Sequence, residues 1–127
     1  MNGQSNINGK QFIVDLLILE KISKDTLAGS IIEIYSGGVR IKTDLSDFDG
    51  ISFFYLNTNE IENNKISLKI HGLNCELFEK EYKMTDDLKT EIYLEYGKTE
   101  YTNRNQMSEM FKKLNIKPEF FECGTID

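Results

Sequence analysis

Apolar and polar residues alternate with a period of two over most of the chain, the pattern of β-strands with one buried face. Gln11 to Ile22 sets Phe12, Val14, Leu16 and Ile18 on one side and Ile13, Leu17 and Leu19 on the other. A strand covered on both faces reads this way, as does a buried helix; the Ile and Val content favours the strand. Lys24, Asp25 and Thr26 then supply a turn. Ser30 to Tyr35 and Val39 to Thr43 flank Ser36-Gly37-Gly38, whose glycine pair permits the positive φ angles of a tight hairpin. Asp44 to Gly50 is a polar loop, and Ile51 to Leu56 is a strand carrying Phe53, Phe54 and Tyr55 in series. After an Asn-rich turn region, Asn57 to Asn64, Lys65 to His71 alternates Ile66, Leu68 and Ile70 with Ser67 and Lys69. Cys75 to Met84 reads as a strand with Phe78, Tyr82 and Met84 in phase, a short helix being the alternative. Thr90 to Tyr96 adds another, with Ile92, Leu94 and Tyr96 alternating.

The period changes near the C-terminus. Met107, Met110, Phe111 and Leu114 fall on one helical face, Thr102 or Asn103 is a suitable cap, and Asn115 with Pro118 marks the stop. Glu119 to Cys123 is a candidate last strand. The expected fold class is α+β, mostly antiparallel β: a six to seven stranded curled, meander-like sheet packed on one C-terminal helix at about 103–114. Residues 11–127 are expected to form a single globular domain, preceded by disordered or loosely ordered residues 1–10.

Composition narrows the possibilities. With 127 residues, 39% of them hydrophobic, the chain is long enough to bury a core without disulfide staples, so Cys75 and Cys123 are expected as buried or idle thiols. Phe12 to Leu19, the longest apolar run, is interrupted by Asp15 and stops at Glu20, too short for a membrane span. Met1 to Lys10 lacks a basic leader followed by an apolar run, so the expected compartment is the cytoplasm. The net charge is −6, which disfavours nucleic acid and anionic membranes as direct ligands. Most of that excess is local, because residues 44–64 hold Asp44, Asp47, Asp49, Glu60 and Glu62 and no Lys or Arg.

Motifs for catalysis, cofactors or metals are weak. The one histidine, His71, precedes Cys75 by four residues, but a zinc site needs more soft ligands and a cysteine nucleophile needs a third orienting group. A partly exposed strand-end histidine is the simpler expectation. Asp47, Asp49 and Gly50 resemble part of a calcium loop, but the first and twelfth ligand positions fall on Leu45 and Leu56. Phe53, Phe54, Tyr55, Tyr93 and Tyr96 lack the basic neighbours of a nucleic-acid stacking platform, and core packing is expected to account for them. No catalytic residue, cofactor or metal is therefore expected.

What remains is the acidic segment. Carboxylates steer encounter with a basic surface and aromatics supply contact affinity, which makes Asp44, Asp47, Asp49, Tyr55, Glu60 and Glu62 the candidate partner-binding patch. The expected function is a non-enzymatic acidic protein that neutralises a basic partner, such as a nuclease or toxin domain, by occluding its active or nucleic-acid-binding site. In size and charge it resembles the small acidic immunity proteins and phage nuclease inhibitors. The alternatives are an accessory subunit of a larger assembly, or a small-molecule or lipid-binding β domain with a pocket lined by Phe53, Tyr55, Ile66, Leu68 and Tyr93.

Overall fold

A computed structural model describes residues 10–97 and 104–114. Seven strands form there: β1 (Gln11–Glu20), β2 (Ile31–Ser36), β3 (Val39–Leu45), β4 (Ile51–Asn57), β5 (Lys65–His71), β6 (Phe78–Lys83) and β7 (Leu88–Leu94). They divide into two sheets, sheet A in the order β4-β1-β7 and sheet B in the order β3-β2-β5-β6. The expected single curled sheet is thus corrected to a two-sheet sandwich, still mostly antiparallel. The exception is β1 with β7, which run parallel, Val14 opposite Leu88 and Glu20 opposite Leu94.

The core lies between the sheets. Val14, Leu16 and Ile18 of β1, Phe54 and Leu56 of β4, and Ile92 and Leu94 of β7 meet Ile32 and Ile34 of β2 and Ile66, Leu68 and Ile70 of β5. All of these side chains are buried, which accounts for the strict alternation of β5, where Ser67 and Lys69 point the other way. The unalternating β1 takes the middle of sheet A, where Ile13 and Leu17 are half-buried on its outer surface. Gly37 and Gly38 both adopt positive φ (59° and 80°) and close the β2–β3 hairpin. Asn63 and Asn64 do the same at the entrance to β5, where Glu62 bridges Lys65.

Helix α1 (Arg104–Lys113) follows the sandwich. Its Phe111, with Met110 and the following Leu114, packs on Ile31 of β2 and Leu45 of β3. Ile31 is on the outer side of sheet B, opposite in phase to Ile32 and Ile34, so the helix is an external buttress and not the centre around which a sheet curls. The expected cap at Thr102 or Asn103, the stop at Asn115 and Pro118, the strand at 119–123, Cys123 and nearly all of the N-terminal tract 1–10 lie outside the described residues. Among the described residues no helix is long and apolar enough to cross a membrane.

Candidate functional site

The six residues of the acidic patch are not gathered in one place. Asp44 on β3 lies on the inward-facing side of its strand, and Ser52 Oγ of β4 donates to its Oδ2 at 2.5 Å, tying one sheet to the other. Burial pushes the Asp44 carboxyl up, and the Ser52 bond only partly opposes this. Asp47 is exposed, but its Oδ1 accepts the backbone N–H groups of Asp49 and Ile51, each at 2.9 Å. That carboxylate organises its own turn, which is the role the partial calcium-loop pattern serves here. Asp49 is exposed beside it. Glu60 and Glu62 are exposed at the other end of β4, a strand about 20 Å long at the usual rise per residue. Glu62 turns toward sheet B, where its N–H donates to Ser36 Oγ and its side chain lies against Gly37.

Tyr55 belongs to a surface the acidic pattern did not reveal. Side chains alternate along β4, so Phe54 enters the core while Phe53 and Tyr55, each 51% exposed, stand on the outer face of sheet A. Their rings meet edge to face at 5.8 Å. Ile13 lies opposite Tyr55, Asp15 opposite Phe53, and Leu17 opposite Ile51. Across β1, Tyr93 is also exposed, its hydroxyl bonded to Glu91 and its ring 4.6 Å from the Lys24 ammonium. Core packing therefore accounts for Phe54 but not for Phe53, Tyr55, Tyr93 or Tyr96, all of which are exposed. The pocket expected from Phe53, Tyr55, Ile66, Leu68 and Tyr93 does not form, because Ile66 and Leu68 are in the core and the three rings are outside it.

On the opposite side of the sandwich, the outer face of sheet B holds a polar network. Glu33, 4% exposed, sits on β2 between Thr43 of β3 and Lys69 of β5. His71 Nε2 donates to Glu33 Oε2 at 2.5 Å, and the Tyr35 hydroxyl donates to Oε1 at 2.6 Å. Arg40 Nη1 approaches the same oxygen at 3.8 Å. Burial raises the Glu33 carboxyl, but the bonds from Tyr35 and His71 and the charges of His71 and Lys69 outweigh it, leaving the group below the ordinary glutamate value. Donating this hydrogen bond to Glu33 in turn raises the Tyr35 phenol.

His71 is thus buried, not partly exposed, and its ring is committed to Glu33. Cys75 is in the main core on the other side of the sheet, and burial pushes its thiol up to about 11, the reverse of what a nucleophile needs. Among the described residues, no three His, Cys, Asp or Glu side chains come together as a metal site would require. Glu33 escaped the sequence reading although a signal was present: an acid within Ile31-Ile32-Glu33-Ile34 must face a partner or water. Beside the network lies a groove of about 600 Å³, bounded by Tyr35, the Gly37-Gly38 turn, Glu62, Ser67 and the outer edge of β6.

No family model and no curated protein matches the chain. Solved structures with a similar fold include the major pilin subunit BcpA of Bacillus cereus, with a TM-score of 0.50 and 11% identity over 69% of this chain and 31% of that one. The group B streptococcus pilus 2b backbone protein is similar at a TM-score of 0.53 and 10% identity, over 68% of this chain and 41% of that one. The chain therefore spans well under half the length of these two pilus proteins. Klebsiella pneumoniae 5-hydroxyisourate hydrolase has a TM-score of 0.53 at 8% identity, over 68% of this chain and 92% of that one. At such identities the likeness is one of fold.

Proposed function

We propose that this β-sandwich is a non-enzymatic binding domain that docks on a basic surface of a partner protein through the outer face of sheet A. The observation that carries the reading is the position of Phe53 and Tyr55, half exposed on a face that no described element covers, while the interior is already filled by other side chains. Contiguous aromatic surface rimmed by polar groups is typical of protein-binding patches, and aromatic rings supply much of the affinity at such sites. Charge sets the partner's sign. Asp15 and Glu91 lie on the face, Asp47 and Asp49 flank one end of β4 and Glu60 the other, against Lys89 and Lys24. The segment 44–64 therefore contributes through its ends and through Tyr55, whereas Asp44 serves the fold and Glu62 faces the other sheet. A partner covered in this way loses access to the basic site beneath.

The test uses the full chain as bait in its native host, alongside Phe53→Ser/Tyr55→Ser and the charge reversal Asp49→Lys/Glu60→Lys, which spares the turn-forming Asp47 carboxylate. A basic protein retained by the wild type should bind the aromatic variant at least about tenfold more weakly, chiefly through faster dissociation. The charge-reversed variant should lose association rate, and the loss should shrink as salt is added. A partner bound equally well by all three proteins would rule the face out.

A further inference from the structure

The groove on sheet B is independent of that face and has its own chemistry. We propose that it binds a short neutral saccharide. Its volume, about 600 Å³, is in the range of small-ligand sites. Its charged walls are mixed in sign: the carboxylates of Glu62, Glu79 and Glu81 lie along it with Lys65 and Lys69, whereas Lys80, opposite Leu68, turns its ammonium to the other side of β6, over the Tyr82 ring. Lys69 and Glu79 approach to 3.9 Å, so part of that charge is already matched within the protein. A phosphate would meet three carboxylates and a polycation two ammonium groups, so neither sign of charge finds a uniform wall. A lipid would find almost no apolar wall, since Leu68 borders the groove but its side chain is fully buried in the core. Hydroxyl groups differ, because each one both donates and accepts, and carboxylates, ammonium groups, the Asn63 amide and the Ser67 hydroxyl serve both roles.

The Tyr35 ring at the rim supplies the apolar element that the C–H face of a sugar needs once the Lys69 ammonium, 5.5 Å from the ring centroid, moves aside. It is held in place from below: its hydroxyl is spent on Glu33, and Glu33 is fixed by His71 and approached by Arg40. The buried network thereby gains a purpose that the core does not require. Glu33 and His71 are positioning residues that present a rigid ring, the arrangement that limits the entropy lost on binding. On the facing wall the hairpin turn is open at Gly38, where a Cβ would touch nothing within 4 Å, and closed at Gly37, which Glu62 lies against.

The experiment is a titration of the isotopically labelled full chain, followed by amide chemical shifts, with maltotriose, cellotriose and N,N′,N″-triacetylchitotriose, and with glycylglycine as the zwitterionic comparison. Each is added to about 20 mM, enough to register a dissociation constant of ~1 mM. At least one sugar should shift the amides of Tyr35, Ser67, Glu79 and Glu81 and leave those of Phe53 and Tyr55 in place. Tyr35→Ala should abolish the shifts, Tyr35→Phe, which keeps the ring but loses the Glu33 bond, should weaken binding about as much as Glu33→Gln, and exposed Glu81→Ala should weaken binding several-fold without disturbing the fold. Glu33→Gln, in protein shown to be folded by its core amides, should also weaken binding. No response to any of the three sugars, or shifts that persist in Tyr35→Ala, would overturn the proposal. So would a response to glycylglycine alone, which would make the groove a site for zwitterions.

Discussion

At the scale of single residues, three positions have strong and separable consequences. With its thiol pushed up to about 11, Cys75 is almost wholly protonated at neutral pH and closed to solvent. In a Cys123→Ser background, native protein should react with a thiol-specific disulfide reagent at pH 8 only as fast as it opens; rapid labelling without denaturant would contradict the burial. Glu33 adds a pH dependence whose sign follows from its lowered carboxyl. A group that ionises more readily when folded stabilises the protein fully above its unfolded value, and that contribution is lost as the pH falls through the folded one. Glu33→Gln should thus cost about 3 kcal/mol at pH 7, with the gap to wild type narrowing below about pH 4, as read by urea unfolding at both pH values. A gap that is constant with pH would mean the carboxylate's charge contributes nothing. Gly50 adopts φ +78°, and a Cβ there would come within 2.8 Å of the Ile18 carbonyl oxygen. Gly50→Ala should therefore lower stability by about 2 kcal/mol or more with an unchanged denaturant slope.

Elements show where the sequence was legible. Strand β5 matches its expected span, and β2, β3 and β4 match theirs within two residues, because one face of each meets the core and local alternation records that. The Gly37-Gly38 hairpin was legible for the same reason: its turn is built from adjacent residues. What alternation does not encode is pairing at a distance. Strand β1 bonds to β4, some forty residues on, and to β7, more than seventy residues on, so a meander was expected where two sheets form. Likewise the run Phe53-Phe54-Tyr55 declares that one parity is buried without saying whether another layer covers the second. The residues of the acidic segment are spread apart for a related reason, since closeness in sequence along an extended strand is distance in space. Helix α1 was legible from its spacing but not its place on the outside, where Phe111 provides the buried anchor. Phe111→Ala should remove about 3 kcal/mol of local contact. Hydrogen exchange should then show the helical amides unprotected while β1, β2 and β5 stay protected; uniform loss across the sandwich would mean the helix is integral to the core.

At the scale of the whole molecule, the aromatic face and the net charge act against each other. An exposed strip containing Phe53 and Tyr55 favours association between copies of the chain, whereas a charge of −6 at pH 7 opposes it. The balance shifts as the pH approaches the sequence pI of about 4.9, where repulsion vanishes and the strip remains. Light scattering at low salt should accordingly find single chains at pH 7 and growing self-association near pH 5. Phe53→Ser/Tyr55→Ser should suppress that association while altering the melting temperature by no more than a few degrees, because both side chains are half exposed and outside the core. Sheet edges are the competing route: β6 carries Glu79, Lys80, Glu81 and Lys83, charges that guard an edge against pairing with another chain, whereas the edge strand β4, Ile51–Asn57, carries none. Equal association of wild type and the double variant near pH 5 would place the sticky surface elsewhere and remove the main support for docking through sheet A.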